Sequence, residues 1–315
     1  MSANNTKPSR RQFLGTAGLV GAGAVLASCA PATAAPAKAN LDLAILNFAL
    51  NLEYLEAAFY LAAVGRLGEL DGIGGSNAIT LPDGKNSTQK AFTGARDGKG
   101  MKLNNPAIQG YAQEIATDEL NHVKFLRQVL GSSAVDRPVL DIGPAFGAAA
   151  KAATGVAAAA AFSPYDDGGA NDLYFLHGAF IFEDVGVTAY KGAAILITDD
   201  KPMGVLEQAA GILAVEAYHA GQIRTILYAN KDADTGYGVD VKTLIGAISK
   251  LRSDLGNGKD QGIVDAAGKA NINPTDANSV AFSRSTREVL NIVYGAVNAP
   301  SGLFFPNGLN GTITK

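Results

Sequence analysis

One short unit, Glu-x-x-His, occurs twice in the chain within the same apolar frame: Ile115-x3-Glu119-x2-His122-x3-Leu126 and Ile212-x3-Glu216-x2-His219-x3-Ile223. Steps of three and four residues keep side chains on one stripe of a helix. In both segments the acid and the imidazole therefore emerge from the face whose other members are aliphatic and have to be buried. Two further segments carry the pattern Glu53-x6-Tyr60 and Glu183-x6-Tyr190, with the acid and the phenol two turns apart on one face. Leu46 and Ala49 flank the first acid, and Ala179, Val187 and Ala194 flank the second. Four helices thus each turn a carboxylate toward one shared interior, and a helical bundle is the fold that satisfies all four at once.

Such an interior is costly unless something compensates it, because buried carboxylates lose hydration and repel one another. Four carboxylates carry −4, two divalent cations carry +4, and two neutral imidazoles complete a mixed oxygen and nitrogen shell of the kind that iron or manganese takes. A single Glu-x-x-His on a helix ordinarily marks a solvated acid beside a packed histidine. Here the unit is doubled in matching register and alternates with the two Glu-x6-Tyr helices, which points to a pair of bound ions. Glu56, three residues after Glu53, is either a further ligand of the same cavity or an acid at its boundary. Tyr60 and Tyr190 are candidates for hydrogen-bonding the ligands or for redox partnership, against the plainer reading of packed phenols with one acceptor each. Metal-binding histidines commonly give their second ring nitrogen to a carboxylate, a role open to Asp118 or Asp184. His177 lies off the Glu183 stripe and nearer Asp184, which suits a supporting or capping role at most. Glu114 and Asp118 are expected on a flank.

The rest of the chain organises around these helices. Residues 41–61 carry helical spacing, with Asn40 or Asp42 available as a cap. Nine glycines and Pro82 between residues 65 and 100 predict an irregular excursion. Pro106 suits the first turn of a helix that Gly131 stops near Leu130. A long, partly helical crossover follows. A third helix is predicted over residues 172–197, and a fourth opens at Pro202 and reaches Ala229. Beyond it, residues 239–255 and 283–297 read as amphipathic helices, and the apolar, turn-rich segment Leu303 to Gly308 is expected to dock on the bundle. The predicted architecture is all-α: a four-helix bundle over residues 36–230, with a long crossover between helices 2 and 3 and a helical or irregular C-terminal extension over 231–315.

Composition removes several alternatives. With 26 Lys and Arg against 29 Asp and Glu there is no basic excess to neutralise a phosphate backbone, so nucleic acid is not an expected partner. One cysteine and three histidines exclude a disulfide framework and cysteine-rich zinc or iron–sulfur sites within one chain. No Gly-x-Ser-x-Gly elbow appears, which argues against nucleophilic hydrolysis. Residues 1–35 read as an address. Arg10 and Arg11 precede a mildly apolar stretch, the pattern of a twin-arginine export signal, a route that carries folded and cofactor-loaded proteins. Leu26-Ala27-Ser28-Cys29 resembles a lipoprotein box in which Cys29 is lipidated and anchors the protein to a membrane. The alternative is cleavage after Ala32-Thr33-Ala34 with no anchor. Processing before Cys29 removes Lys7, Arg10 and Arg11 and no acid, leaving 23 basic against 29 acidic residues and a net charge of −6.

The chain resembles the ferritin-like superfamily, and within it the exported proteins related to plant desiccation-induced proteins. The resemblance is carried by Leu46-Asn47-Phe48-Ala49-Leu50-Asn51-Leu52-Glu53-Tyr54-Leu55-Glu56-Ala57, by Glu119-Leu120-Asn121-His122, by Thr286 to Gly295 and by the ending Phe304 to Gly311. It implies a ferritin-like four-helix bundle and a two-metal ligand set of Glu53, Glu119, His122, Glu183, Glu216 and His219, with no position missing. Superfamily members with such sites include iron-oxidising storage proteins, peroxide-reducing proteins and manganese catalases. The resemblance therefore implies a dinuclear iron or manganese protein acting on peroxide or oxygen under oxidative or drying stress. It leaves open a metal-storing or structural protein whose site staples the bundle. Further copies of the chain, in a homo-oligomer, are candidate partners.

Overall fold

A computed structural model describes residues 40–315. The leader features, Arg10, Arg11 and Cys29 among them, lie outside the described residues. Seven helices follow in order: α1 (Asp42–Ala63), α2 (Pro106–Leu130), α3 (Pro144–Thr154), α4 (Asn171–Ala194), α5 (Val205–Ala229), α6 (Val241–Leu255) and α7 (Thr286–Tyr294). Two short strands, β1 (Ile79–Thr80) and β2 (Leu140–Asp141), pair in parallel with Ile79 opposite Leu140. The bundle consists of α1, α2, α4 and α5. Helix α1 packs along α2, α4 packs along α5, and α1 also meets α4, whereas α2 and α5 face each other across the interior with little direct contact. The expected all-α bundle with a long second crossover is thus the fold observed.

Local chemistry sets the helix ends. Asn105 caps α2 by accepting from the Ala107 N–H at 2.9 Å, Pro106 occupies the first turn, and Gly131 at φ 55° ends the helix. Asn40, not Asp42, receives the amide at the start of α1, at 3.0 Å. Asp42 is buried and ties that end of α1 to the α4–α5 connection instead, accepting from the Thr198 N–H at 2.7 Å and the Thr198 hydroxyl at 2.8 Å. Helix α5 begins at Val205 rather than Pro202, because residues 199–204 form a turn closed by the Leu206 N–H to the Asp199 carbonyl at 3.0 Å. Helix α4 stops at Ala194 rather than near residue 197, and Gly295, left-handed at φ 73°, halts α7 short of Val297.

The excursion and the extension cover surfaces that a bare bundle would expose. Residues 65–100 fold back on α1 through the Met101 N–H to the Ala63 carbonyl at 2.7 Å, and at Gly65 any Cβ would strike the backbone at Gly100. Gln89, buried, donates to the carbonyls of Gly143 and Phe162 at 2.8 and 2.7 Å and so fastens the excursion to the crossover. At the other end of the chain Asn310 exchanges two hydrogen bonds with Asn51 of α1, both 2.9 Å. Phe304 lies 4.9 Å from Phe182 and 5.2 Å from Phe146, ring centre to ring centre. Burying such a ring is worth about 1.5–3 kcal/mol, enough to hold the closing segment down. These covers explain why α1 is buried on nearly every side and not only along the Glu53 stripe. No helix among the described residues is long and apolar enough to cross a membrane.

Candidate metal centre

The six acids and imidazoles singled out by pattern converge in the middle of the bundle. Glu53 comes from α1, Glu119 and His122 from α2, Glu183 from α4, and Glu216 and His219 from α5, all of them buried. They form two groups sharing Glu119. One ligand atom from each of Glu53, Glu119, His122 and Glu216 lies within 4.8 Å of the others, and the same holds for Glu119, Glu183 and His219. His122 Nδ1 stands 3.1 Å from Glu53, 3.4 Å from Glu119 Oε2 and 3.8 Å from Glu216. His219 Nδ1 stands 3.1 Å from Glu119 Oε1 and 3.5 Å from Glu183. Glu119 thus directs one oxygen into each group, the disposition of a carboxylate that bridges two ions.

The two Glu-x6-Tyr helices brace each other crosswise. Tyr60 of α1 donates to Glu183 of α4, and Tyr190 of α4 donates to Glu53 of α1. In each acid the phenol takes Oε1, and Oε2 faces the histidines. Glu56 is also buried, next to Glu216. Gly186 of α4 makes that proximity possible, since a Cβ there would overlap Glu216 Oε2 and touch Glu56. The two ligand groups do not include Glu56. Asp118, expected on a flank, reaches inward as far as His219 Nε2 at 3.2 Å, so its carboxylate orients that ring and leaves Nδ1 for the centre. Glu114 is exposed. Asp184 does not support a histidine: one position along α4 from Glu183, it points to the opposite side and pairs with arginines. His177 plays no part in the centre either. It is fully buried beside Phe162, neither ring nitrogen has a hydrogen-bond partner, and burial alone pushes its pKa down to about 3.

Electrostatics tests whether the protein neutralises this cluster by itself. Burial favours the neutral form of every acid. It raises Glu53 to about 7 despite the pull of His122, and it raises Glu216 and Glu56 well above the carboxylate range, with the surrounding glutamates adding to the effect. Glu119 behaves in the opposite way: burial penalises its charge, but the imidazoles of His122 and His219 facing its two oxygens outweigh that and hold it far below the usual range. Burial likewise opposes the two imidazolium ions, yet the facing carboxylates push both histidines up to about 12. Both oxygens of Glu119, both of Glu216, Oε2 of Glu183 and Nδ1 of His219 have no hydrogen-bond partner. Bare, buried acceptors of this kind are rare in folded proteins and costly. A hard or borderline cation would satisfy them, and a mixed Glu/His donor set is of the kind that iron or manganese takes.

The region matching the ferritin-like domain family spans residues 41–229, which is the four bundle helices from end to end. The chain belongs to the ferritin-like family. Within it, this ferritin-like protein is similar to the desiccation-related protein PCC13-62 of Craterostigma plantagineum, at 31% identity over 91% of this chain and 90% of the relative. It is also similar to the ferritin-like catalase Nec2 of Nesocodon mauritianus, at 28% identity over 91% of this chain and 90% of that protein. No solved structure matches the chain at a significant level. The fold, the family and the buried carboxylate and histidine cluster together fit a dinuclear metal protein.

The pattern reading did not find the arginines behind the centre. Arg224 of α5, Arg252 of α6 and Arg284 before α7 are buried and converge on Asp184 and Asp260. Arg224 and Arg252 each meet Asp184 at 2.8 Å, and Arg252 and Arg284 meet Asp260 at 2.9 and 2.7 Å. A signal existed for one of them: Arg224 lies eight residues after Glu216, close to its stripe, where an exposed cation has no place.

Proposed function

We propose that this ferritin-like protein holds two divalent ions, iron or manganese, among Glu53, Glu119, His122, Glu183, Glu216 and His219, and uses them on peroxide outside the cytoplasm. One observation carries the reading: Glu119 directs one oxygen to each of two buried ligand groups, Oε2 toward His122 and Oε1 toward His219. The relative named as a catalase, aligned over nearly the whole chain, supports peroxide as the substrate class. When bound, two redox-active ions supply a reversible two-electron store, which is what converting two hydrogen peroxide molecules to two waters and one dioxygen requires.

The residues of the chain do the rest. Tyr60 and Tyr190 fix one oxygen of Glu183 and of Glu53, so only the second oxygen of each is free to ligate. Asp118 at Nε2 sets the orientation of the His219 ring. Glu56, buried beside Glu216 and outside both ligand groups, is the acid placed to give a proton to a departing oxygen and to take one from the next peroxide. Full burial of the ligands keeps bulk water and large reductants out. Arg10 and Arg11 support export in a folded state through the twin-arginine route, and Cys29 supports attachment to the cell envelope by a lipid.

The reading is tested by metal analysis together with turnover. Protein purified with its native metal is expected to contain two ions per chain and to evolve dioxygen from hydrogen peroxide, and Glu119→Ala is expected to lose both properties. A second reading, metal storage or stapling, draws on the fact that all four bundle helices contribute a ligand. It expects a large fall in melting temperature in chelator with no peroxide turnover by the metal-loaded form.

A further inference from the structure

The two ends of the centre differ. Beyond Tyr60 the core is filled by rings, with Phe59 and Phe175 at 4.8 and 5.9 Å from it, centre to centre. Beyond Tyr190 there is a void of about 160 Å³, bounded by α1, α2, α4, α5 and the turn at residues 199–204. Its walls lead to the ligands. Leu126 lies one helical turn after His122, Ile212 lies one turn before Glu216, and Tyr190 is bonded to Glu53. One turn is roughly 6 Å along a helix. The void therefore lies nearer the group formed by Glu53, His122 and Glu216 than the one formed by Glu183 and His219, with Tyr190 between it and Glu53. At its rim Val129 and Met203 are exposed, 42% and 77%, and Met203 has a left-handed backbone at φ 62°. Leu46, Leu126, Ala209 and Ile212 make the wall mostly apolar, with Gln208 and Asp199 as polar exceptions.

We infer that this void is the substrate vestibule, and that its size and lining make small organic hydroperoxides substrates alongside hydrogen peroxide. The inference rests on the peroxide reading above. Hydrogen peroxide needs little more room than a water molecule, whereas an apolar cavity of roughly 150 Å³ accommodates a benzene-sized guest. The chemistry balances without an outside reductant. Cleaving the O–O bond of an alkyl hydroperoxide to the alcohol and water takes two electrons and two protons, and the oxidation of hydrogen peroxide to dioxygen releases two of each. Hydrogen peroxide supplies those electrons and becomes dioxygen, so that one hydroperoxide and one hydrogen peroxide give one alcohol, one water and one dioxygen. An ion held by Glu53, His122 and Glu216 would be the nearer to the vestibule, so the two ligand groups are inequivalent toward a bulky peroxide.

The test fills the void and reads binding separately from turnover. Ala209→Leu occupies it from within, and Val129→Trp closes the rim from the exposed side if the first variant folds poorly. Crystals of the metal-loaded wild type under xenon are expected to show xenon in the void, and the filled variant none. With two ions per chain retained, the variant is expected to lose at least tenfold in kcat/KM for tert-butyl hydroperoxide, with hydrogen peroxide as co-substrate, and less for hydrogen peroxide alone. A wild type that turns over hydrogen peroxide but not tert-butyl hydroperoxide, or variants that lose less than twofold on both, would overturn the inference. If the wild type turns over neither peroxide, the peroxide reading fails. The vestibule is then judged by xenon and by whether tert-butyl alcohol perturbs the metal spectrum of the wild type and not of the filled variant; absence of both refutes it.

Discussion

Helix α4 carries buried charge on two opposite faces, and the two faces solve the same problem differently. On one side Glu183 joins four other glutamates and two histidines, and many of the carboxylate oxygens there have no donor. On the other side, one residue along, Asp184 meets Arg224 and Arg252, and Asp260 links Arg252 to Arg284. The second cluster uses its guanidinium groups on neutral acceptors as well: Arg224 donates to the backbone carbonyls of Ile272, Gly262 and Asn271 at 2.7 Å each, and Arg284 donates to the Thr188 hydroxyl at 2.7 Å. Phe180 lies under Arg252 at 4.4 Å. The arginine cluster is internally paired and fastens the C-terminal extension to the bundle. The glutamate cluster is only partly paired from within, through the two phenols and the two histidines, and leaves both oxygens of Glu216 without a donor. Burial of charge is therefore no guide to function by itself; the presence or absence of partners is.

The sharpest way to break the contrast is to remove one charge from each side. Asp260→Asn leaves two buried guanidinium groups short of a partner, and chemical denaturation is expected to show a loss of about 3–5 kcal/mol in both the metal-free and the metal-loaded protein. Glu216→Gln is expected to leave metal-free stability unchanged or raised, because the metal-free fold already disfavours a charge at that position, while lowering the metal content below two per chain. If both substitutions destabilise the metal-free protein alike, the contrast drawn here is mistaken.

Metal removal comes next in size. With free metal at 100 times its dissociation constant, linkage adds about 2.7 kcal/mol to the stability, which chelation then removes and a thermal melt reads. Asp118→Asn should cost less, lowering metal affinity about 10–100-fold by competition titration, since it loosens the His219 ring without deleting a ligand.

The smallest effect at any one pH is the slope of metal-free stability. Glu53 titrates near 7 in the fold against an ordinary value of about 4.5, so its contribution is fully present below the unfolded value and is lost as pH rises through 7. The histidines, raised from about 6.5 to about 12, act in the same direction: above pH 6.5 the unfolded chain releases protons that the fold retains. Denaturation of the metal-free protein between pH 5 and 8 should therefore show stability falling with pH. Metal affinity should rise over the same range as the ligands shed protons. A flat or rising metal-free curve would contradict the charge assignment.

Much of this contrast is unequally legible in the sequence. Glu119, His122, Glu216 and His219 announce themselves because spacing within a single helix fixes which side chains share a face. The same holds for the pairing of Glu53 with the Tyr60 face. What spacing cannot give is registry between helices. It places Tyr60 near Glu53 on one helix, yet the phenol bonds Glu183 on another. Asp118 and Asp184 looked equivalent as neighbours of ligands, and only the inward turn of α2 toward α5 separates them. Arg252, Asp260 and Arg284 belong to the extension, and spacing within it does not say which of its polar side chains meet the bundle and are buried there.

The crossed phenols have a mechanical consequence. Tyr60 and Tyr190 stitch α1 to α4 without help from any ion, whereas α2 and α5, which bring both histidines, meet through the titratable side chains of the centre itself, Asp118 and Glu119 against His219 and His122 near Glu216. One half of the cradle is thus preassembled and the other half is a seam. An incoming ion would zip that seam shut, and in its absence the backbone amides of α2 and α5 should exchange with solvent deuterium sooner than those of α1 and α4.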